Sequence, residues 1–268
     1  MLQIQTHLAN GTLYLCHSSC DILNAGTMVS YLSTVAGWVR THPYDIITIL
    51  IGNGDYSAVG NFTAPIEESG LLPFVYTPPK NPMSLGDWPK LSSMILSSSR
   101  VVIFMDYQSN QTSVPYILDE FVHIWETPFD PIDRSFPCTI QRPPGLSDHD
   151  AGFRMYMINH NLNTQLSLLG NTLLVPTVPL LNVTNGVNGS GSLGQTAQQC
   201  AERWGRSPTW LNVDFYNMGN GSVFEVAAKW NNVTYGRTCC GLPANGAERS
   251  RVGLGVVLVA LLVAAVLV

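Results

Sequence analysis

Apolar and polar residues alternate in two rhythms along this chain, and each change of rhythm marks an element. Leu2 to Thr6 reads as a strand; after the polar turn Ala9-Asn10-Gly11 a second strand, Leu13 to Cys16, runs into His17. Met28, Tyr31, Leu32, Val35, Trp38 and Val39 fall on one face of a helix from Thr27 to Arg40. Asp45 to Ile51 is β-branched and almost unbroken, the pattern of a strand buried on both faces of a parallel sheet, and it stops at Gly52-Asn53-Gly54-Asp55. A Pro/Gly-rich loop, Leu72 to Pro89, precedes a short helix from Leu91 to Leu96 and a second buried strand, Val101 to Met105, that ends at Asp106. Pro115 opens a helix expected to run through Trp125, and Glu126 to Gly152 is a proline-rich irregular segment. Met155 to Ile158 is a strand ending at Asn159-His160-Asn161, Gly186 to Gly194 a loop, Thr196 to Trp204 a helix, and Trp210 to Phe215 the last strand. Ser222 to Glu225 matches a capping box that starts a final helix to Trp230.

Strand–helix alternation with buried strands predicts a parallel α/β fold of the TIM-type (β/α) barrel class. His17, Asn53, Asp106, Asn159 and Asp214 all stand where strands end, the face on which such barrels carry their sites. The chain of 268 residues has the size of one such barrel, assigned here to residues 1–243.

Composition changes the picture chiefly by placing the chain. Seven Asn-x-Ser/Thr sequons, at Asn10, Asn61, Asn110, Asn182, Asn188, Asn220 and Asn232, predict a glycosylated, secreted surface. The six cysteines agree, an even number reading as disulfides, with Cys16–Cys20 the nearest local pair and Cys138 and Cys200 further candidates. A net charge of −5 gives no nucleic-acid footprint, and no GxxxxGK[ST] loop supports nucleotide binding. Residues 244–251 form a small and polar spacer before the uncharged apolar run Val252 to Val268. That order fits a glycosylphosphatidylinositol attachment signal or, alternatively, a retained tail anchor, either of which makes the membrane a partner. Met1-Leu2-Gln3-Ile4-Gln5 has no basic start or apolar core of a leader, so the natural chain is expected to begin further upstream.

The candidate chemistry centres on His17, bracketed by Cys16 and Cys20 at a strand end. Two readings are open: an idle histidine in a cystine-stapled turn, or a proton donor that titrates near neutrality. A zinc site lacks a fourth ligand, so neither metal nor cofactor is expected.

Several stretches together resemble the phospholipase C-like phosphodiesterases, the superfamily of phosphatidylinositol-specific phospholipase C X domains, and within it the secreted fungal and plant branch. They are Met1 to Thr6, Leu13 to His17, Asp45 to Ile49, Asp87-Trp88-Pro89, Arg100 to Phe104 and Val213 to Tyr216, in family order. The resemblance implies a barrel whose two histidines cleave a small-molecule or lipid phosphodiester by acid–base catalysis. His17 matches the second histidine, the general acid that protonates the leaving alcohol. The first histidine and its strand would precede Met1, leaving the barrel incomplete at the N-terminus. Gln3 and Gln5 stand where active members carry calcium-binding carboxylates or an aspartate–arginine pair, so no calcium site is expected. Gln3, Gln5, Asn53, Asp106 and Asp214 are the expected substrate-binding residues. The alternative is a catalytically silent cell-surface barrel that binds a phosphorylated or carbohydrate ligand.

Overall fold

The computed structural model describes residues 1–16, 20–21, 23–168, 171–236 and 239. His17, the spacer 244–251 and the tail 252–268 lie outside those residues. The strands are β1 (Leu2–Ala9), β2 (Thr12–Cys16), β3 (Asn24–Thr27), β4 (Ile47–Gly52), β5 (Val101–Met105), β6 (Ile117–Asp119), β7 (Ile124–Glu126), β8 (Met155–Asn159), β9 (Asn163–Leu168), β10 (Asn171–Pro176) and β11 (Trp210–Asn212). The helices are α1 (Met28–Thr41), α2 (Thr63–Glu68), α3 (Leu91–Leu96), α4 (Glu120–His123), α5 (Asp148–Ala151), α6 (Leu181–Thr184), α7 (Leu193–Trp204) and α8 (Ser222–Trp230).

These elements make a mixed α/β protein. One sheet has the order β3-β2-β1-β4-β5-β6, with β1, β4, β5 and β6 parallel and β2 and β3 antiparallel. A second parallel sheet has the order β11-β8-β7, and β9 and β10 form a separate hairpin. Among the described residues the two parallel sheets are not hydrogen-bonded into a closed barrel. They share a core instead. Alternation along the strands sends Ile49, Ile51, Ile103 and Met105 outward against α1 and α2, and sends Leu50, Phe104 and Leu118 inward against Ile124 and Met157 of the second sheet. Trp125, Tyr156 and Ile158 pack on α7 and α8.

The expected helix from Pro115 to Trp125 is instead β6, one turn of α4, and β7. The neighbours Ile117 and Leu118, and again Ile124 and Trp125, are buried side by side, as a strand covered on both faces requires. Asp119 breaks the run by accepting the main-chain N–H of Val122 as a helix N-cap. The capping box at Ser222 is also corrected: the N-cap is Gly221 at φ +93°, a left-handed position, and Ser222 is already helical. Helix α7 starts at Leu193 because Ser192 accepts Gln195 N–H, and β11 ends at Asn212.

Arg100, 4% exposed, donates to the carbonyls of Val39, His42 and Asp45, which ties the end of α1 to the start of β5. Disulfides join Cys16 to Cys20 and Cys138 to Cys200. All seven sequon asparagines are exposed, whereas Asn53, Asn159 and Asn185 are buried.

His160 sits 1% exposed behind β8, its Nε2 at 3.0 Å from the Thr184 carbonyl and its ring 3.7 Å from that of Phe136. Burial pushes its pKa down to about 4. The unfolded chain takes up this proton near the ordinary histidine value, so the folded state gains its full advantage above that value and loses it as pH falls toward 4. The loss amounts to roughly 3 kcal/mol. Urea titrations between pH 7 and 4 should show this decline, and His160→Gln should flatten it.

Candidate functional site

Residues of β1, the ends of β4 and β7, the loop after β5 and the start of α4 surround one cavity of about 230 Å³. Gln3 and Gln5 of β1 reach it from one side, two residues apart and hence on one face of the strand. Both are exposed; among the described residues Leu2 to Gln5 pair with β4 alone and β11 with β8 alone. Gln5 lies directly opposite Gly52, whose lack of a side chain leaves room for its amide: a Cβ at Gly52 would stand 2.2 Å from Gln5 Oε1 and make that amide swing aside.

Asp106 follows β5. Its Oδ1 accepts the main-chain N–H groups of Asn53 at 2.7 Å and Tyr107 at 2.8 Å. Burial raises its pKa, opposed by the Asn53 N–H and by Arg142. Asn53, at the end of β4, lies behind this wall. Its Nδ2 donates to the carbonyls of Ser57 and Tyr107 and its Oδ1 accepts Ser57 N–H, so it clamps the β4 and β5 loops together. Asp214 does not line the cavity. It is half-buried beyond β11, where burial and then Asp130 raise its pKa.

The centre of the cavity is a group that the sequence patterns do not single out. Arg142 projects from the proline-rich segment, whose backbone pairs with Glu126 at the end of β7. Its guanidinium stands 3.2 Å from Glu126 Oε2 and 3.9 Å from Asp106 Oδ2, and donates to Tyr107 Oη at 3.1 Å. The same group lies 4.5 Å from the ring centre of Phe129 and 4.8 Å from that of Phe121. Asn159 Nδ2 donates to Glu126 Oε2 at 3.0 Å, and Asn212 Nδ2 to Asn159 Oδ1 at 2.9 Å. One hydrogen-bonded line thus crosses from β11 through β8 and β7 to Arg142, joining the strand ends of the two sheets.

Glu120, the first residue of α4, is fully buried beside this line. Burial, and then the neighbouring Glu126, hold its pKa well above the ordinary carboxyl value. The sequence conceals Glu120 and Glu126 because an acid in an apolar run looks like the exposed side of a helix. The usable signal is the run itself, in which both acids interrupt residues too apolar for a surface.

A calcium ion does not fit these residues. Among those described, no three His, Cys, Asp or Glu side chains converge on a metal position, and the Arg142 cation already occupies the space between Asp106 and Glu126. What the cavity offers is a held guanidinium with the amides of Gln3 and Gln5 in the same lining, donors of the kind that suit an oxyanion.

The family model of the PI-PLC X domain, PI-PLC X 1, matches residues 1–231. The chain belongs to the PI-PLC X family. It is 60% identical over 94% of its length to a protein of Arthroderma benhamiae called an uncharacterized secreted protein, and it spans 58% of that relative. A second relative from the same organism, PI-PLC X domain-containing protein 1, is 35% identical over 82% of this chain and 70% of its own length. No solved structure matches.

Proposed function

We propose that the protein is a secreted, glycosylated phosphodiesterase that cleaves a phosphodiester by acid–base chemistry at the cavity between the strand ends. The observation that carries this reading is the position of Arg142, its guanidinium fixed by Glu126, Asp106 and Tyr107 where strands of both parallel sheets end. As the phosphorus is attacked, negative charge grows on its equatorial oxygens. A guanidinium oriented beforehand stabilises that charge without reorganising. The Gln3 and Gln5 amides supply further donors. His17, outside the described residues, is given the role of general acid. As imidazolium it protonates the departing alkoxide, which is too basic to leave unprotonated at neutral pH.

The surrounding features support the same setting. Seven exposed sequons, the Cys16–Cys20 and Cys138–Cys200 disulfides and a relative named as secreted fit passage through an oxidising compartment. The two parallel sheets with their shared inner core are read as staves of one incompletely closed (β/α) barrel, and the apolar tail as a lipid-anchor signal. A second reading, a non-catalytic binder of a phosphorylated or carbohydrate ligand, is favoured by the uncharged pair Gln3 and Gln5.

Leaving-group chemistry separates these readings. His17→Ala in the full-length protein should lower turnover of an alkyl phosphodiester by about 10²–10⁴-fold. It should affect a p-nitrophenyl phosphodiester far less, because that leaving group departs without a proton. Equal turnover of the alkyl ester by both proteins removes His17 from the mechanism.

A further inference from the structure

The carboxyl groups of Asp106, Glu120 and Glu126 all line the cavity, and they are held unevenly. Asp106 takes two main-chain N–H groups, and Glu126 Oε2 takes both Arg142 and Asn159. Glu120 is 0% exposed, and among the described residues no N–H or O–H donor reaches either of its oxygens. Its hydrogen-bond neighbour is a second acid, Glu126. Two carboxyl groups bond to each other only through a proton that one of them supplies. Glu126 already receives a guanidinium and an amide, which suit a carboxylate, so the acid that supplies the proton is Glu120. Glu120 opens α4 and Glu126 closes β7, so one helical turn brings both to the same wall.

From this arrangement we infer that Glu120 is a positioning residue for Arg142: its carboxyl O–H donates to Glu126, and Glu126, fixed in this way, aims the guanidinium into the cavity. The inference rests on the phosphodiesterase reading and adds to it a pH dependence of the same site. The groups that face Glu120 are Glu126 from β7, Asp106 from the β5 loop and Arg142 from the proline-rich segment. Burial, and then Glu126, hold the acid in its neutral form well above the ordinary carboxyl range, against the pull of Arg142. While Glu120 keeps its proton, the charges of Asp106, Glu126 and Arg142 leave a single negative excess. Once Glu120 ionises, the excess doubles, the bond to Glu126 is lost, and both glutamates compete for Arg142. An anionic diester then meets one more like charge and a guanidinium drawn away from it. Anion binding is therefore full while Glu120 is neutral and declines as the pH rises through its folded pKa.

Dimethyl phosphate is a probe that stays singly charged across this range and needs no turnover. Isothermal titration of the full-length protein from about pH 6 to about pH 9 compares it with two variants of Glu120. Glu120→Gln is neutral at every pH and still offers an N–H to Glu126. It should match the natural protein at the low end and bind about 10-fold more tightly than it at the high end. Titration of His17 acts on both proteins alike and cancels in that ratio. Glu120→Met fills the space without a donor and should bind about 10-fold more weakly than Glu120→Gln at every pH. A purely structural role would change the melting of the variants without separating their pH courses. Infrared spectra of the natural protein at neutral pH should show the carbonyl stretch of a protonated carboxyl, shifted in heavy water and absent from Glu120→Gln. That band should fade with rising pH in step with the loss of affinity.

Parallel pH courses for the natural protein and Glu120→Gln, equal affinities of the Met and Gln variants, absence of the carboxyl band, or no binding of dimethyl phosphate would each overturn the inference. The band and the affinity course of the natural protein decide it even if the variants fail to fold. Turnover of a diester alongside any of those results removes the role of Glu120 and leaves the phosphodiesterase. The expected courses without turnover of any diester leave Glu120 as the support of an anion-binding Arg142 and remove the phosphodiesterase.

Discussion

Arg142→Met is expected to lower kcat/KM on a phosphodiester by about 10²–10³-fold, the usual consequence of deleting one preorganised donor to a developing oxyanion. The same change should lower the stability by roughly 3 kcal/mol, because it strands buried charge rather than merely removing a contact. Glu126 is 1% and Asp106 12% exposed at the side chain, so water reaches neither well enough to replace the guanidinium. Arg142→Lys separates the two effects. Lysine keeps the charge, and with it much of the stability, but it loses the planar fork that spans Glu126 and Tyr107 and the stacking on Phe129 and Phe121. Steady-state kinetics with a urea titration on each variant checks both numbers. A lysine variant with natural kcat/KM would show that charge alone is used.

Removal of the Cys138–Cys200 bridge, by substitution of both cysteines with serine, should cost about 4 kcal/mol. The bond closes a loop with a sequence separation of 62, against 4 for Cys16–Cys20, whose loss should cost about 2 kcal/mol on the same chain-entropy argument. The longer loop also bears on the site. Cys138 lies on the proline-rich segment that carries Arg142, and its carbonyl accepts the indole N–H of Trp204 from α7, so the bridge pins that segment to a rigid helix. Differential scanning calorimetry should show the larger drop for Cys138/Cys200, and both variants should lose activity, since the longer bridge holds the segment of Arg142 and the shorter one brackets His17 in sequence.

Which parts of this are legible in the sequence follows from how many neighbours each residue type needs. The helix α1 and the strands β4 and β5 are readable, since their burial pattern is local: one apolar face in the first, two in the others. The segment from Pro115 to Trp125 misleads because its apolar spacing satisfies a helix and a strand–turn–strand alike, and only the sheets on either side decide. The hairpin β9–β10 escapes the sequence reading, which places no element there. At the site, Asp106 is expected from its strand end and Gln3 and Gln5 from the resemblance, and all three meet at the cavity. Asn53 and Asp214 are both expected at strand ends, but period alone does not reveal that Asn53 turns into the loop backbone and that Asp214, beyond the end of β11, does not line the cavity. Arg142 is the plainest case. It lies in an irregular segment, distant in sequence from Asp106, and becomes the centre of the site only through the pairing of its backbone with Glu126.

The cavity is proposed to cleave a phosphodiester around Arg142. Phosphorus-31 NMR of short-chain diesters incubated with the full-length protein tests it most directly. A product resonance that grows with the natural protein and is absent with Arg142→Met is the predicted result. Unchanged substrate with the natural protein, for amine-bearing and polyol-bearing diesters alike, would contradict it.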